Sequence, residues 1–144
     1  MNFERHFVIV LALLPLAAGP LAAQTTEPPG AAHPLVGKWQ WTRSANRCTE
    51  VYDFRTDGTA YVTSGDERSD NTYTVSREPD ERGFYTLKMK ITKDYGGKDC
   101  GDLEQNETGQ EHTSFVLFEP TREMYIACQQ PSLQACYGPL KRAP

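Results

Sequence analysis

Residues 48–75, CTEVYDFRTDGTAYVTSGDERSDNTYTV, constrain most strongly what this chain can fold into. The stretch reads as strand, tight turn, strand, polar loop, strand. Asp57-Gly58 is the dipeptide that accepts positive φ at both central turn positions, so it predicts a two-residue hairpin. With Thr56 opposite Thr59, Arg55 faces Ala60, Phe54 faces Tyr61 and Tyr52 faces Thr63. That register puts Tyr52, Phe54 and Tyr61 on one face and Asp53 and Arg55 on the other, as a half-buried sheet requires.

Strand signals continue on both sides of this hairpin at roughly ten-residue spacing, with no helical period between them. They cover 36–43 (VGKWQWTR), 48–56, 59–64, 71–77 (NTYTVSR), 84–93 (FYTLKMKITK), 112–118, 123–128 and 136–142. Such a series predicts an all-β chain, an up-and-down antiparallel barrel of about eight strands, because closure removes both exposed edges. An open sandwich of about six to eight strands is the alternative. In the barrel, connections alternate between its two ends. Short turns at 56–58, 78–82 and 119–122 fall at one end, and the connections 44–47, 65–70, 94–110 and 129–135 at the other. All four cysteines lie at the second end, so the barrel is stapled there.

The four cysteines, Cys48, Cys100, Cys128 and Cys136, form an even set suited to an oxidising compartment. Cys128 and Cys136 flank the hairpin loop 129–135 and can face each other on adjacent strands, which leaves Cys48 with Cys100. The other pairings among the roughly three connectivities remain open. Their spacing is too wide for a structural zinc site.

Residues 1–23 read as a secretory signal: Arg5 and His6 precede FVIVLALLPLAAGPLAA, which ends in small residues. A signal anchor is the alternative. Residues 24–34 (QTTEPPGAAHP) read as a flexible linker, and 35–142 as the folding unit. The expected location is therefore periplasmic or secreted, with no membrane anchor after cleavage. A net charge of −4 without a basic run argues against nucleic acid or an anionic membrane as partner.

Catalysis finds little support. The chain has no G-x-S-x-G, no H-E-x-x-H and no glycine-rich phosphate loop. Beyond the signal its histidines are His33 and His112. Glu50 and Glu111 read as isolated surface carboxylates. Asp94, Asp99, Asp102, Glu104 and Glu107 lie in the long loop without the spacing of a calcium site, so they read as a solvated acidic segment. The expectation is a non-enzyme with no metal and no cofactor.

Several short motifs resemble those of lipocalin-type (calycin) barrels. LVGKWQW resembles the G-x-W motif that opens the first strand of that family, and PTREMYIAC (120–128) resembles its second signature. DFRTDGTAYV is similar to hairpins of small bacterial lipocalin-like envelope proteins. Lys141-Arg142 ends the last strand, where in that family a basic residue packs across the tryptophan. The resemblance implies that Trp39 lies in the core at the tight end and that Arg142 reaches it. This chain is shorter than ligand-carrying lipocalins and lacks the helix that follows their barrel.

The inward aromatic set is expected to be Trp39, Trp41, Tyr52, Phe54, Tyr61, Tyr73, Tyr85 and Phe115. The expected function is the binding of a small, partly apolar molecule at the loop-rich end, in contact with Trp41, Tyr52 and Tyr73. The alternative is a protein-binding module, for instance an inhibitor of an exported enzyme, whose barrel is filled by its own side chains.

Overall fold

The computed structural model describes residues 24–30 and 32–144; the expected signal segment lies outside the described residues. A two-residue strand β1 (Thr26–Glu27) precedes β2 (Gly37–Thr42), β3 (Thr49–Phe54), β4 (Thr59–Ser64) and β5 (Glu67–Ser76). Then come β6 (Tyr85–Asp94), β7 (Glu111–Phe118), β8 (Met124–Cys128) and β9 (Cys136–Arg142). Each of β2 to β9 pairs antiparallel with its neighbours, β5 joins β6, and β9 returns to β2. The chain is thus a closed eight-stranded antiparallel barrel, with β1 laid against β5. The disulfides are Cys48–Cys100 and Cys128–Cys136, as the spacing predicts.

The opening hairpin differs from its expected register by one residue. Phe54 pairs with Ala60, Asp53 with Tyr61 and Tyr52 with Val62. The Gly58 amide donates to the Arg55 carbonyl and the Arg55 amide to Thr59 O, so three residues form the loop. The cause is local. Asp57 accepts hydrogen bonds from the Thr59 amide and hydroxyl, at 2.9 and 2.6 Å, and only Gly58 of the pair has positive φ (80°). Asp-Gly therefore closes a type I turn followed by a glycine bulge, not the two-residue mirror turn. The slip turns Ala60 inward and Tyr61 outward, opposite Asp53.

A second difference lies in β5, which begins at Glu67. The expected loop 65–70 is a tight turn at Gly65-Asp66, with Ser64 opposite Glu67. Phe115 is also corrected: it pairs with Cys128 on the outer face, while Val116 faces the core. Of the segment 24–34, expected as a linker, residues 24–30 and 32–34 lie across the tight end. Thr26 and Glu27 pair with Ser76 and Val75, and Arg77 bridges to Glu27 at 2.8 Å.

That end is sealed. Leu35 and Trp39 are fully buried, and the Trp39 indole donates to Leu35 O at 2.8 Å. Rings of Trp39, Phe118, Tyr125 and Tyr85 meet edge-on or tilted at 4.8–5.8 Å between centroids. Arg142 lies over the Trp39 ring at 4.3 Å and donates to Val36 O and Pro34 O. Gly37 makes this possible, since a Cβ there would stand 2.7 Å from an Arg142 guanidinium nitrogen.

Candidate functional site

The inward positions change character along the barrel axis. Toward the tight end they are apolar and sealed: Phe54, Tyr73, Val75, Tyr85, Tyr125 and Leu140 are all buried. Toward the cysteine end, the register gives Trp41 opposite Glu50, Glu50 opposite Ser64 and Ser64 opposite Glu67. Ser69 and Asn71 follow on β5, the amide of Asn71 donating to the Ser69 hydroxyl at 3.0 Å.

Trp41, Glu50, Tyr52, Val62 and Ser114 face inward yet keep part of their surface accessible. The half of the barrel toward the cysteine end is therefore an inner surface of mixed access, the cup: Ser64, Ser69 and Asn71 are buried in it, with the Cys100 amide donating to the Ser64 hydroxyl at 3.0 Å, while Trp41, Glu50, Tyr52, Val62 and Ser114 are only partly buried. Tyr137 completes it. A bulge in β9 sets Ala127 opposite Tyr137 but Tyr125 opposite Leu140, which keeps both Tyr137 and Leu140 inward. The Tyr137 ring lies 5.3 Å from that of Trp41 and is 37% exposed.

Glu50 is the cup's inner carboxylate. It accepts from the Tyr52 hydroxyl at 2.7 Å and more distantly from Ser64 at 3.4 Å. Burial pushes the Tyr52 phenol well above its ordinary value, and the nearby Tyr137 and Glu50 add to it. Tyr137 is raised in the same sense, again first by burial. At the rim Glu67 is pushed up to about 7, by burial first and then by the charges of Asp94, Glu107, Asp99 and Glu50.

Of the expected contact residues, Trp41 and Tyr52 stand together in the cup, whereas Tyr73 does not. Its hydroxyl donates to Arg55 O at 2.7 Å, beside the tight hairpin, and its ring meets Phe54 at 4.9 Å. Because β5 begins at Glu67, Tyr73 lies deep along its strand rather than just past a loop. Glu50, expected as a surface charge, turns inward. The signal for it was present, since Glu50 lies two residues from Tyr52 and shares its face.

The loop 95–110 is pinned along one side of the mouth. The Asp66 and Glu67 amides donate to Lys98 O, and Cys100 O accepts from Arg43 and Asn46. Asp99 caps the amides of Gly101 and Leu103, and Asp94 those of Gly96 and Glu107. Among the described residues no group of three or more His, Cys, Asp or Glu side chains converges to hold a metal.

Two larger clefts open on the outer surface. One of about 590 Å³ lies at the tight end, between the 27–34 segment and Tyr85, Arg77 and Arg122. The other, about 560 Å³, follows the seam of β2 and β9 and is bordered by Trp41 and Pro139. The β2–β9 ladder pairs only Trp39 with Arg142 and Gln40 with Lys141. In that register Thr42 would face Pro139, which has no N–H to give, so the ladder stops there. Trp41 thus borders both the cup and the seam.

A closed eight-stranded antiparallel barrel is consistent with a calycin-like fold. No family model, curated protein or solved structure matches this chain. The two disulfides fit an oxidising, exported environment.

Proposed function

We propose that this chain is an exported, lipocalin-like binding protein, periplasmic or secreted, that takes up a small, partly apolar molecule in the cup at its loop-rich end. One observation carries this reading. Trp41, Tyr52 and Tyr137 point inward and remain partly accessible above a sealed floor of Trp39 and Tyr125. Half-exposed rings with a few convergent polar groups are the usual lining of a small-molecule site. The role proposed is binding, with Glu50 held by the Tyr52 and Ser64 hydroxyls as the polar group of the site. Native mass spectrometry of the protein purified from its own host tests the reading. A bound small molecule that Trp41→Leu and Tyr137→Leu variants lose supports it; retention by both variants refutes the site.

A second reading, a protein-binding module such as an inhibitor of an exported enzyme, has its own support. Tyr95, Leu103 and Leu133 expose 53%, 56% and 73% of their surface on the connections at the stapled end. Large apolar side chains on loops held by disulfides suit docking onto a protein. The same mass spectra separate the two, since a co-purified polypeptide in place of a small molecule favours this one.

A further inference from the structure

We infer that the cup selects an organic cation, an ammonium group on an apolar body, held between the faces of Trp41, Tyr52 and Tyr137 and the Glu50 carboxylate. The inference rests on the cup being the binding site proposed above and adds the charge of what it takes.

Glu50 stands directly across the β2–β3 ladder from Trp41. It is oriented by the Tyr52 and Ser64 hydroxyls, and among the described residues no Lys, Arg or His forms an ion pair with it. The ion pairs of the described residues all lie elsewhere, at Asp53, Glu27, Asp80, Glu111 and Glu123. Basic side chains at the mouth are engaged by groups other than Glu50. Arg43 donates to Cys100 O, Arg68 to Gly65 O and Glu67 O, and Lys93 covers the Tyr95 ring. Among the described residues Glu67, Asp94, Asp99 and Glu107 at the rim form no ion pair, and Glu67 holds its proton more tightly than usual, first through burial and then through the charges of Asp94, Glu107, Asp99 and Glu50.

Each ligand class meets this environment differently. An anion entering the cup is repelled by Glu50 and the rim. A neutral apolar molecule strips water from Glu50 and gives nothing in return, which is unfavourable. A bare metal ion finds no converging set of ligands among the described residues. An ammonium group satisfies the carboxylate, and its positive charge is attracted to the negative faces of the surrounding rings. The acidic rim also raises the local concentration of cations and speeds their capture at low salt.

Three probes of similar shape test this: 2-phenylethylamine, 2-phenylethanol and 3-phenylpropionate, titrated into ¹⁵N-labelled protein and followed by amide and indole shifts. The amine should bind at least about tenfold tighter than the alcohol, and the carboxylate weakest of all. Shifts should centre on Trp41, Tyr52 and Tyr137. Glu50→Gln should abolish the amine's advantage over the alcohol, and added salt should narrow that advantage in the unaltered protein. If the alcohol or the carboxylate binds in the cup as tightly as the amine, the cation inference falls and the cup stands. If all three probes are silent, or shifts gather at the seam or the tight end, the cup falls and the inference with it. Should Glu50→Gln not fold, the salt series decides, because a salt-independent advantage overturns the proposal.

Discussion

Trp39 and Arg142 show how much of the tight end depends on single side chains. Trp39 is fully buried beneath a guanidinium that also ties β9 to residues 34 and 36. Trp39→Ala should cost about 3–5 kcal/mol in denaturant unfolding; a near-normal midpoint would show that the core closes over the gap. Gly37→Ala acts on the same contact from the other side. Its φ of +122° and the Arg142 nitrogen 2.7 Å away both oppose a Cβ. A loss of about 1–3 kcal/mol is expected, with the Arg142–Trp39 contact disrupted. Two ionisable groups give opposite pH trends. His33 accepts from the Leu35 amide and its other ring nitrogen contacts Ser76 O, an arrangement that suits the neutral ring. Burial, with help from Arg122, lowers its pKa from 6.5. Its contribution to stability is present in full above that value and is lost as the pH falls through the folded-state pKa. Glu67 is raised from 4.5 to about 7, so the folded state holds its proton more tightly. Its contribution is present below 4.5 and lost as the pH rises through 7. Melting curves from pH 4 to 8 should show His33→Gln removing an acid-side loss and Glu67→Gln an alkaline-side one. Unchanged difference curves would mean that neither group is linked to folding.

At the scale of elements, the disulfides differ in what they hold. Cys48–Cys100 closes a span of 52 residues and anchors the 95–110 loop, whereas Cys128–Cys136 closes 8 within one hairpin. Chain entropy assigns the first about 4 kcal/mol and the second about 2.5. Paired Cys→Ser variants should follow that order, and exchange protection in the 95–110 loop should drop only with the first; the reverse order would show that the hairpin staple governs the mouth. Strand legibility followed the same division between apolar and polar inner faces. Residues 85–94 alternate cleanly because Tyr85, Leu87, Met89 and Ile91 face a dry or half-dry interior. Residues 67–70 were legible only as a loop, because Glu67, Ser69 and Asn71 point inward where an apolar residue was expected. The polarity that hid the start of β5 is the same polarity that makes the cup. The hairpin register was hidden for a smaller reason, one carboxylate capping Thr59.

For the whole molecule, closure into a barrel, the end-to-end alternation and both disulfides could be read from the spacing of strands and cysteines. Of the inner surface proposed as the site, about half could be read. Trp41 and Tyr52 followed from alternation, whereas Tyr137 is brought inward by a bulge at Gly138-Pro139 that no periodicity announces. The two-pair ladder between β2 and β9 has a further meaning for how the molecule moves and assembles. These strands are the first and last of the barrel, so their meeting joins the most distant parts of the chain and carries the largest loop-closure entropy. Arg142 rivets the join at the sealed end, while Pro139 leaves it unlaced toward the mouth. The barrel should therefore close there last when it folds and part there first when it fluctuates. In native-state hydrogen exchange, the Gln40 and Lys141 amides should exchange through a local opening, well before those shared by β5 and β6. Uniform protection around the barrel would mean that it opens only as a whole.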